Sequence, residues 1–159
     1  MINKNRPHIL VIPEDDANDQ LVTGFLLEFN IPRQIQPLET AGGWTKVLDR
    51  FKLNEVGGME RYPGRLMVLL IDFDGKDNRL GVAKAVIPEH LADRVFVLGA
   101  WTEPEDLKSA SLGSYEAIGR AMAQDCRQNT DTVWGHEQLR HNAEELARLC
   151  ERIRPILST

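Results

Sequence analysis

Three short apolar runs stand out along the chain, each bounded by polar residues. They are HILVIP at residues 8–13, RLMVLLID at 65–72 and RVFVLG at 94–99. Nearly continuous apolar runs of this length are typical of strands that are covered on both faces of a parallel sheet. Each run therefore predicts a buried strand, and the weaker alternation over residues 33–38 predicts a fourth.

Segments with helical spacing of apolar residues lie between these runs. They predict helices over residues 16–29, 44–51, 104–109, 114–128 and 135–153, and short helices within 80–91 that are interrupted at Pro88. Residues 54–64 contain three glycines and a proline, which predicts a loop. This order of strands and helices predicts an α/β fold: an open, mainly parallel sheet of about four strands flanked by helices, with extra C-terminal helices.

The length of 159 residues is typical of a single domain. We expect residues 8–100 to form its α/β core and residues 101–159 a helical C-terminal extension. Cys126 and Cys150 stand in no paired motif, so we expect reduced, buried thiols and a cytoplasmic protein. The longest apolar run has six residues, far below the ~20 that a membrane span needs, and we expect no membrane partner.

The charge of the chain argues against general attraction to nucleic acid. The formal net charge is −5 and no Lys/Arg-rich run occurs, whereas phosphate backbones are bound by basic patches. Nucleic-acid binding through a local site stays open, as does assembly into a homo-oligomer or a larger complex.

Carboxylates follow two of the predicted strands directly. Glu14 comes after the first strand, and Asp72 and Asp74 come at the end of the strand at 65–72. Because the carboxyl ends of parallel strands meet at one edge of the sheet, these three side chains are expected to converge. Clustered carboxylates favour a hard cation, so they predict a site for Mg²⁺ or Mn²⁺. The alternative is that these acids are solvated loop residues and helix caps.

Further residues near the predicted strand ends are candidate accessory groups. The acids there cap a helix or assist the metal, the glycine pair forms a tight turn or presents N–H groups to a phosphate, and the cations contact a phosphodiester or are merely solvated. These accessory residues are Asp15, Asp16, Gly42, Gly43, Arg79 and Lys108.

The motifs VIPED (residues 11–15), AGGW (41–44) and LLIDFDG (69–75) together resemble the Toprim domain of topoisomerases, primases and OLD-type nucleases. The resemblance covers residues 8–100. It implies that Glu14 acts as a general acid/base in strand breakage or joining, and that Asp72 and Asp74 bind Mg²⁺. Asp15 stands where that family usually has glycine, and no tyrosine nucleophile is evident. Both departures favour a nuclease-like or inactive relative over a topoisomerase.

The segments ILVIPEDDANDQLV (residues 9–22) and VFVLGAWTEPEDLKSASLG (95–113) also resemble a response-regulator receiver domain. This second resemblance implies that Asp15 and Asp16 bind Mg²⁺ and that Asp72 accepts a phosphoryl group. The receiver's hydroxyl residue at the end of the fourth strand would fall near Gly99, which has none. The sequence thus predicts an Mg²⁺-dependent Toprim-like domain acting on nucleic-acid phosphodiesters, with a receiver-like or non-catalytic interaction module as the alternative.

Overall fold

A parallel four-stranded sheet forms the centre of the protein. The computed structural model describes residues 2–29, 34–109 and 112–157. The strands are β1 (His8–Pro13), β2 (Ile35–Pro37), β3 (Arg65–Leu70) and β4 (Val95–Leu98). They lie in the order β2-β1-β3-β4, and every neighbouring pair is parallel. The predicted α/β class with a parallel sheet is confirmed.

Helices connect the strands and cover both faces of the sheet. The α-helices are α1 (Asp16–Phe29), α2 (Trp44–Arg50), α3 (Val56–Arg61), α4 (Arg79–Ala85), α5 (Pro104–Ser109), α6 (Tyr115–Gln128) and α7 (Ala143–Leu157). A π-helical turn joins α2 to α3 (Phe51–Glu55), and 3₁₀ turns precede β4 (Glu89–Arg94) and α7 (Arg140–Asn142). No helix within the described ranges is long and apolar enough to cross a membrane.

Alternate residues of β1, β3 and β4 point into two separate hydrophobic cores. Ile9, Val11 and Phe96 belong to the core shared with α1, α6 and α7, whereas Leu69 and Val97 belong to the opposite core, with residues of α2, α3 and α4. Leu69 and Val97 are 0% and 1% exposed. These three strands are therefore buried on both faces, as their continuous apolar sequences predict.

Helices α1 and α6 cross very closely, because each has a glycine at the contact. A Cβ atom on Gly24 would lie 2.0 Å from the carbonyl oxygen of Glu116, and one on Gly119 would lie 2.0 Å from that of Leu21. Only a residue without a side chain permits this approach at either position.

Helix α7 closes the outer edge of β4. One polar side chain just before α7 and two on it form hydrogen bonds with backbone groups along the edge of β4 that a fifth strand would otherwise use. Asn142 both accepts from the N–H of Gly99 and donates to its carbonyl, Glu145 accepts from the N–H of Val97, and Arg148 donates to the carbonyl of Val95. The edge is thereby satisfied without another strand.

Two predicted elements are wrong. Residues 54–61 of the predicted loop are helical, because Phe51 and Met59 are completely buried and hold this segment against the sheet despite its glycines. The last α-helix begins at Ala143 rather than at residue 135, since the chain before it forms turns that place Leu139 in the core.

The cysteines also differ from expectation. Cys126 on α6 and Cys150 on α7 are buried as predicted, but they form a disulfide that joins the two helices. The sequence could not reveal this pairing, because the two residues are 24 positions apart and meet only through the packing of α6 on α7.

Candidate metal centre

The site lies where β1 and β3, which are neighbours in the sheet, come to an end. Pro13 is paired with Leu70 at the last position of both strands. The N–H of Glu14 then donates to the carbonyl of Leu70, at 2.9 Å, and the N–H of Asp72 donates to Glu14 Oε2, at 3.2 Å. These bonds hold the side chain of Glu14 across the end of β3.

Three carboxylates converge at this point. One carboxylate oxygen from each of Glu14, Asp15 and Asp72 lies within 4.8 Å of the other two. Glu14 and Asp72 are only 8% and 7% exposed, while Asp15 is the most accessible of the three. Oxygen atoms at these separations can hold a metal ion.

The position of Asp15 follows from its place before α1. Its Oδ1 accepts a hydrogen bond from the backbone N–H of Asn18, at 3.1 Å, and therefore caps the first turn of the helix. This cap turns the Asp15 carboxylate back towards the end of β3. Asp16, the next residue, is the first residue of α1 and is exposed.

Asn18, in the first turn of α1, links the residues that follow β1 and β3. Its side-chain Nδ2 donates to Asp15 Oδ1 and to Asp72 Oδ1, at 3.0 Å in each case. Its side chain is completely buried. Sequence reasoning missed this residue, although the three-residue spacing from Asp15 puts both on one side of the first helical turn.

Glu14 and Asp72 hold protons more tightly than isolated carboxyl groups would. Burial, followed by the neighbouring carboxyl of Asp72, raises the pKa of Glu14 from its ordinary 4.5 to about 8. Burial also raises the pKa of Asp72, against the lowering effect of hydrogen bonds from Glu14 and Asn18. Without a counter-ion, the buried pair thus favours a bound proton over two negative charges.

Asp74, predicted as a metal ligand, is not part of this cluster. Its φ of +50° turns the chain away after Asp72, and its carboxylate is 55% exposed and accepts from Arg79 Nη1 at 2.7 Å. The same Arg79 nitrogen donates to the backbone carbonyl of Asp72, at 2.8 Å, and the guanidinium lies 4.2 Å from the ring centre of Trp44. Arg79, the first residue of α4, is therefore buried against the turn that follows β3, and its guanidinium is bonded to residues of that turn.

The remaining predicted accessory residues border the site in different ways. The N–H of Gly42 donates to the backbone carbonyl of Glu14, at 2.8 Å, and Gly43 precedes α2, so Gly42 uses its N–H within the fold. Lys108 is exposed and lies 4.7 Å from the ring centre of Tyr115. The N–H of Gly42 therefore stabilises the turn before α2 rather than facing a ligand.

Further acidic residues, Glu103 and Glu105, border the cluster on the side of α5. The pKa of Glu103 is raised by Glu105 foremost and also by Asp72 and Asp74. The pKa of Tyr115 is raised by its burial, and then by carboxylates that include Glu105 and Asp15. Negative charge therefore dominates the edge of the sheet at this point, which favours a cation over a free anion.

The end of β4 contributes backbone but no side chain. A Cβ atom on Gly99 would lie 1.5 Å from the carbonyl oxygen of Ile71. No hydroxyl residue fits at this position.

Compared with known proteins, the chain matches no family model, no curated protein and no solved structure.

Proposed function

We propose that the protein binds Mg²⁺ or Mn²⁺ through Glu14, Asp15 and Asp72. The observation that supports this most directly is the convergence of three carboxylate oxygens within 4.8 Å. In the described part of the chain, no lysine or arginine forms a salt bridge with any of the three. A divalent cation would supply the missing positive charge.

The donor set suits these cations. Carboxylate oxygens are the ligands that Mg²⁺ and Mn²⁺ prefer, and three of them leave positions open for water or for phosphate oxygens. The raised pKa values of Glu14 and Asp72 support the same assignment, since a cation would replace the proton that the pair otherwise retains.

Within that assignment, we propose a receiver-like signalling module as the function. The cluster combines an acidic pair after β1 with an aspartate at the end of β3, which is the pattern of the receiver resemblance, shifted by one residue to Glu14 and Asp15. The strand order β2-β1-β3-β4 also matches the first four strands of doubly wound sheets of the 2-1-3-4-5 type, whose ligands bind between β1 and β3. In this proposal Asp72 accepts a phosphoryl group, and the cation neutralises the charge of its oxygens.

The absence of a hydroxyl at Gly99 distinguishes this module from the receiver pattern. A phosphoryl group on Asp72 would lack that hydrogen-bond donor, so we expect slow phosphorylation or a module that responds to the cation alone. Both versions need the same three carboxylates, and they differ only in whether Asp72 reacts.

The first test measures the binding of Mg²⁺ and Mn²⁺ by titration calorimetry. Asp72→Asn is expected to weaken binding at least tenfold, whereas Asp74→Asn, the matched control two residues away, is expected to leave it unchanged. Equal affinity of wild type and Asp72→Asn would refute the site. Incubation with acetyl phosphate and Mg²⁺ then shows whether one phosphoryl group is transferred to Asp72 with release of acetate, as measured by intact mass.

A phosphodiester-cleaving enzyme of the Toprim-like kind is the second candidate. It is favoured by Glu14, because a carboxyl whose pKa is about 8 can exchange a proton near neutral pH. It would require Asp74 to leave Arg79 and join the metal. Cleavage of DNA or RNA in Mn²⁺ that is lost in both Glu14→Gln and Asp74→Asn would select this function over the receiver-like one.

A further inference from the structure

The buried amide of Asn18 has one end paired and the other unpaired. Its nitrogen bridges Asp15 Oδ1 and Asp72 Oδ1, at 3.0 Å each. Its oxygen is buried and has no hydrogen-bond partner. An unpaired buried acceptor is unfavourable, so the favourable hydrogen bonds of this amide are those of its other end, which faces the carboxylates.

The orientation of this amide is decided by the charge in front of it. Two carboxylate oxygens attract the N–H groups and would repel the amide oxygen. The far end gains no hydrogen bond in the observed orientation. The two bonds at the near end therefore determine the orientation that is adopted.

The spacing around the amide nitrogen is that of neighbouring metal ligands. In an octahedral Mg²⁺ shell with bonds of about 2.1 Å, adjacent oxygens are about 3 Å apart. The Nδ2 atom of Asn18 lies at this distance from both carboxylate oxygens. After a half-turn, the amide oxygen would occupy the same position.

We infer that Asn18 is a cation-responsive ligand: its amide nitrogen bridges Asp15 and Asp72 while the cation is absent, and its amide oxygen coordinates Mg²⁺ or Mn²⁺ when the cation binds. The inference rests on the proposed cation site and adds a fourth protein ligand to it. The amide thus replaces part of the missing positive charge in the free protein and keeps the two carboxylates at ligand spacing.

The experiment compares cation binding by wild type and Asn18→Leu, a variant of similar size without an amide. Calorimetry with Mg²⁺ alone and with Mn²⁺ alone is expected to show affinity about tenfold weaker in Asn18→Leu. Asp125→Asn serves as the control, because Asp125 is a buried group that bonds Thr130 and the backbone of Val133. It is expected to lower stability without changing cation affinity.

A second measurement does not depend on the folding of the variant. In a crystal structure of the Mn²⁺-loaded wild type, with the ion located by anomalous scattering, Asn18 Oδ1 is expected among the ligands. A bound ion with Asn18 Nδ2 still bridging the carboxylates would overturn the inference, as would equal affinities of wild type and Asn18→Leu. Wild type that binds neither cation would instead refute the proposed cation site, and this inference with it.

Discussion

The buried carboxyl of Glu14 should make the protein less stable as the pH rises. Its pKa is about 8 in the folded protein and about 4.5 when exposed. Between these values the folded state binds more protons than the unfolded state, so the free energy of unfolding falls with increasing pH. The loss begins near pH 4.5 and is complete above pH 8.

The size of the effect follows from the difference between the two pKa values. At about 1.4 kcal/mol per pKa unit, the shift of Glu14 sets an upper limit of about 5 kcal/mol. Sharing of the proton with Asp72 and entry of water reduce the measured value, and we expect about 2–3 kcal/mol. Glu14→Gln removes the ionisable group, while its amide oxygen can still accept from the N–H of Asp72.

Urea unfolding at pH 5, 7 and 9 in the presence of EDTA measures this effect. Wild type and Glu14→Gln should be similarly stable at pH 5, and the variant should be the more stable at pH 9. Glu137→Gln, which alters an exposed carboxylate, is the control and should follow wild type throughout. If the difference between wild type and Glu14→Gln is the same at pH 5 and pH 9, the reasoning about the buried charge is wrong.

Three further predictions concern stability. Gly99→Ser should destabilise by at least 3 kcal/mol or prevent folding, because the Cβ atom would meet a backbone oxygen at 1.5 Å; Gly57→Ser, with open space around it, is the control in urea unfolding. Gly119→Ala should lower the free energy of unfolding by about 2–3 kcal/mol by forcing α1 and α6 apart, and an unchanged melting temperature would contradict that crossing. Dithiothreitol should lower the stability by about 3 kcal/mol, the value for a disulfide that closes a loop of this length; a urea midpoint that is the same with and without the reductant would contradict it.

The sheet could be predicted because three of its four strands have continuous apolar sequences. The helical segment at 54–61 could not, since Gly57 and Gly58 favour a loop locally and only the burial of Phe51 and Met59 makes it helical. Local propensity was overruled there by contacts with residues distant in sequence.

The site was predicted in part, for a similar reason. Glu14 directly follows β1 and Asp72 stands two residues after β3. The sequence places both at the carboxyl ends of parallel strands, and the pairing of β1 with β3 then brings them together. Asp74, the third predicted ligand, lies outside the cluster: an extended chain would have put it beside Asp72, but the left-handed turn at Asp74 directs it to Arg79. Asp15 lies beside them because it caps α1. The sequence indicates Asp15 both as a cap and as an accessory metal residue, but it does not show which of the two acids after Glu14 turns towards Asp72.

The side chains of α7 take the place of a neighbouring strand along the outer edge of β4. The bonded positions are three apart on the helix and two apart on the strand, and the partners run in opposite directions. Six helical residues advance about 9 Å, whereas four strand residues advance about 13 Å. The side chains lengthen from Asn142 through Glu145 to Arg148, which lets a short helical repeat reach along a longer strand repeat. A chain ending before Asn142 would lack all three of these side chains and would leave the outer edge of β4 without the hydrogen bonds that they make.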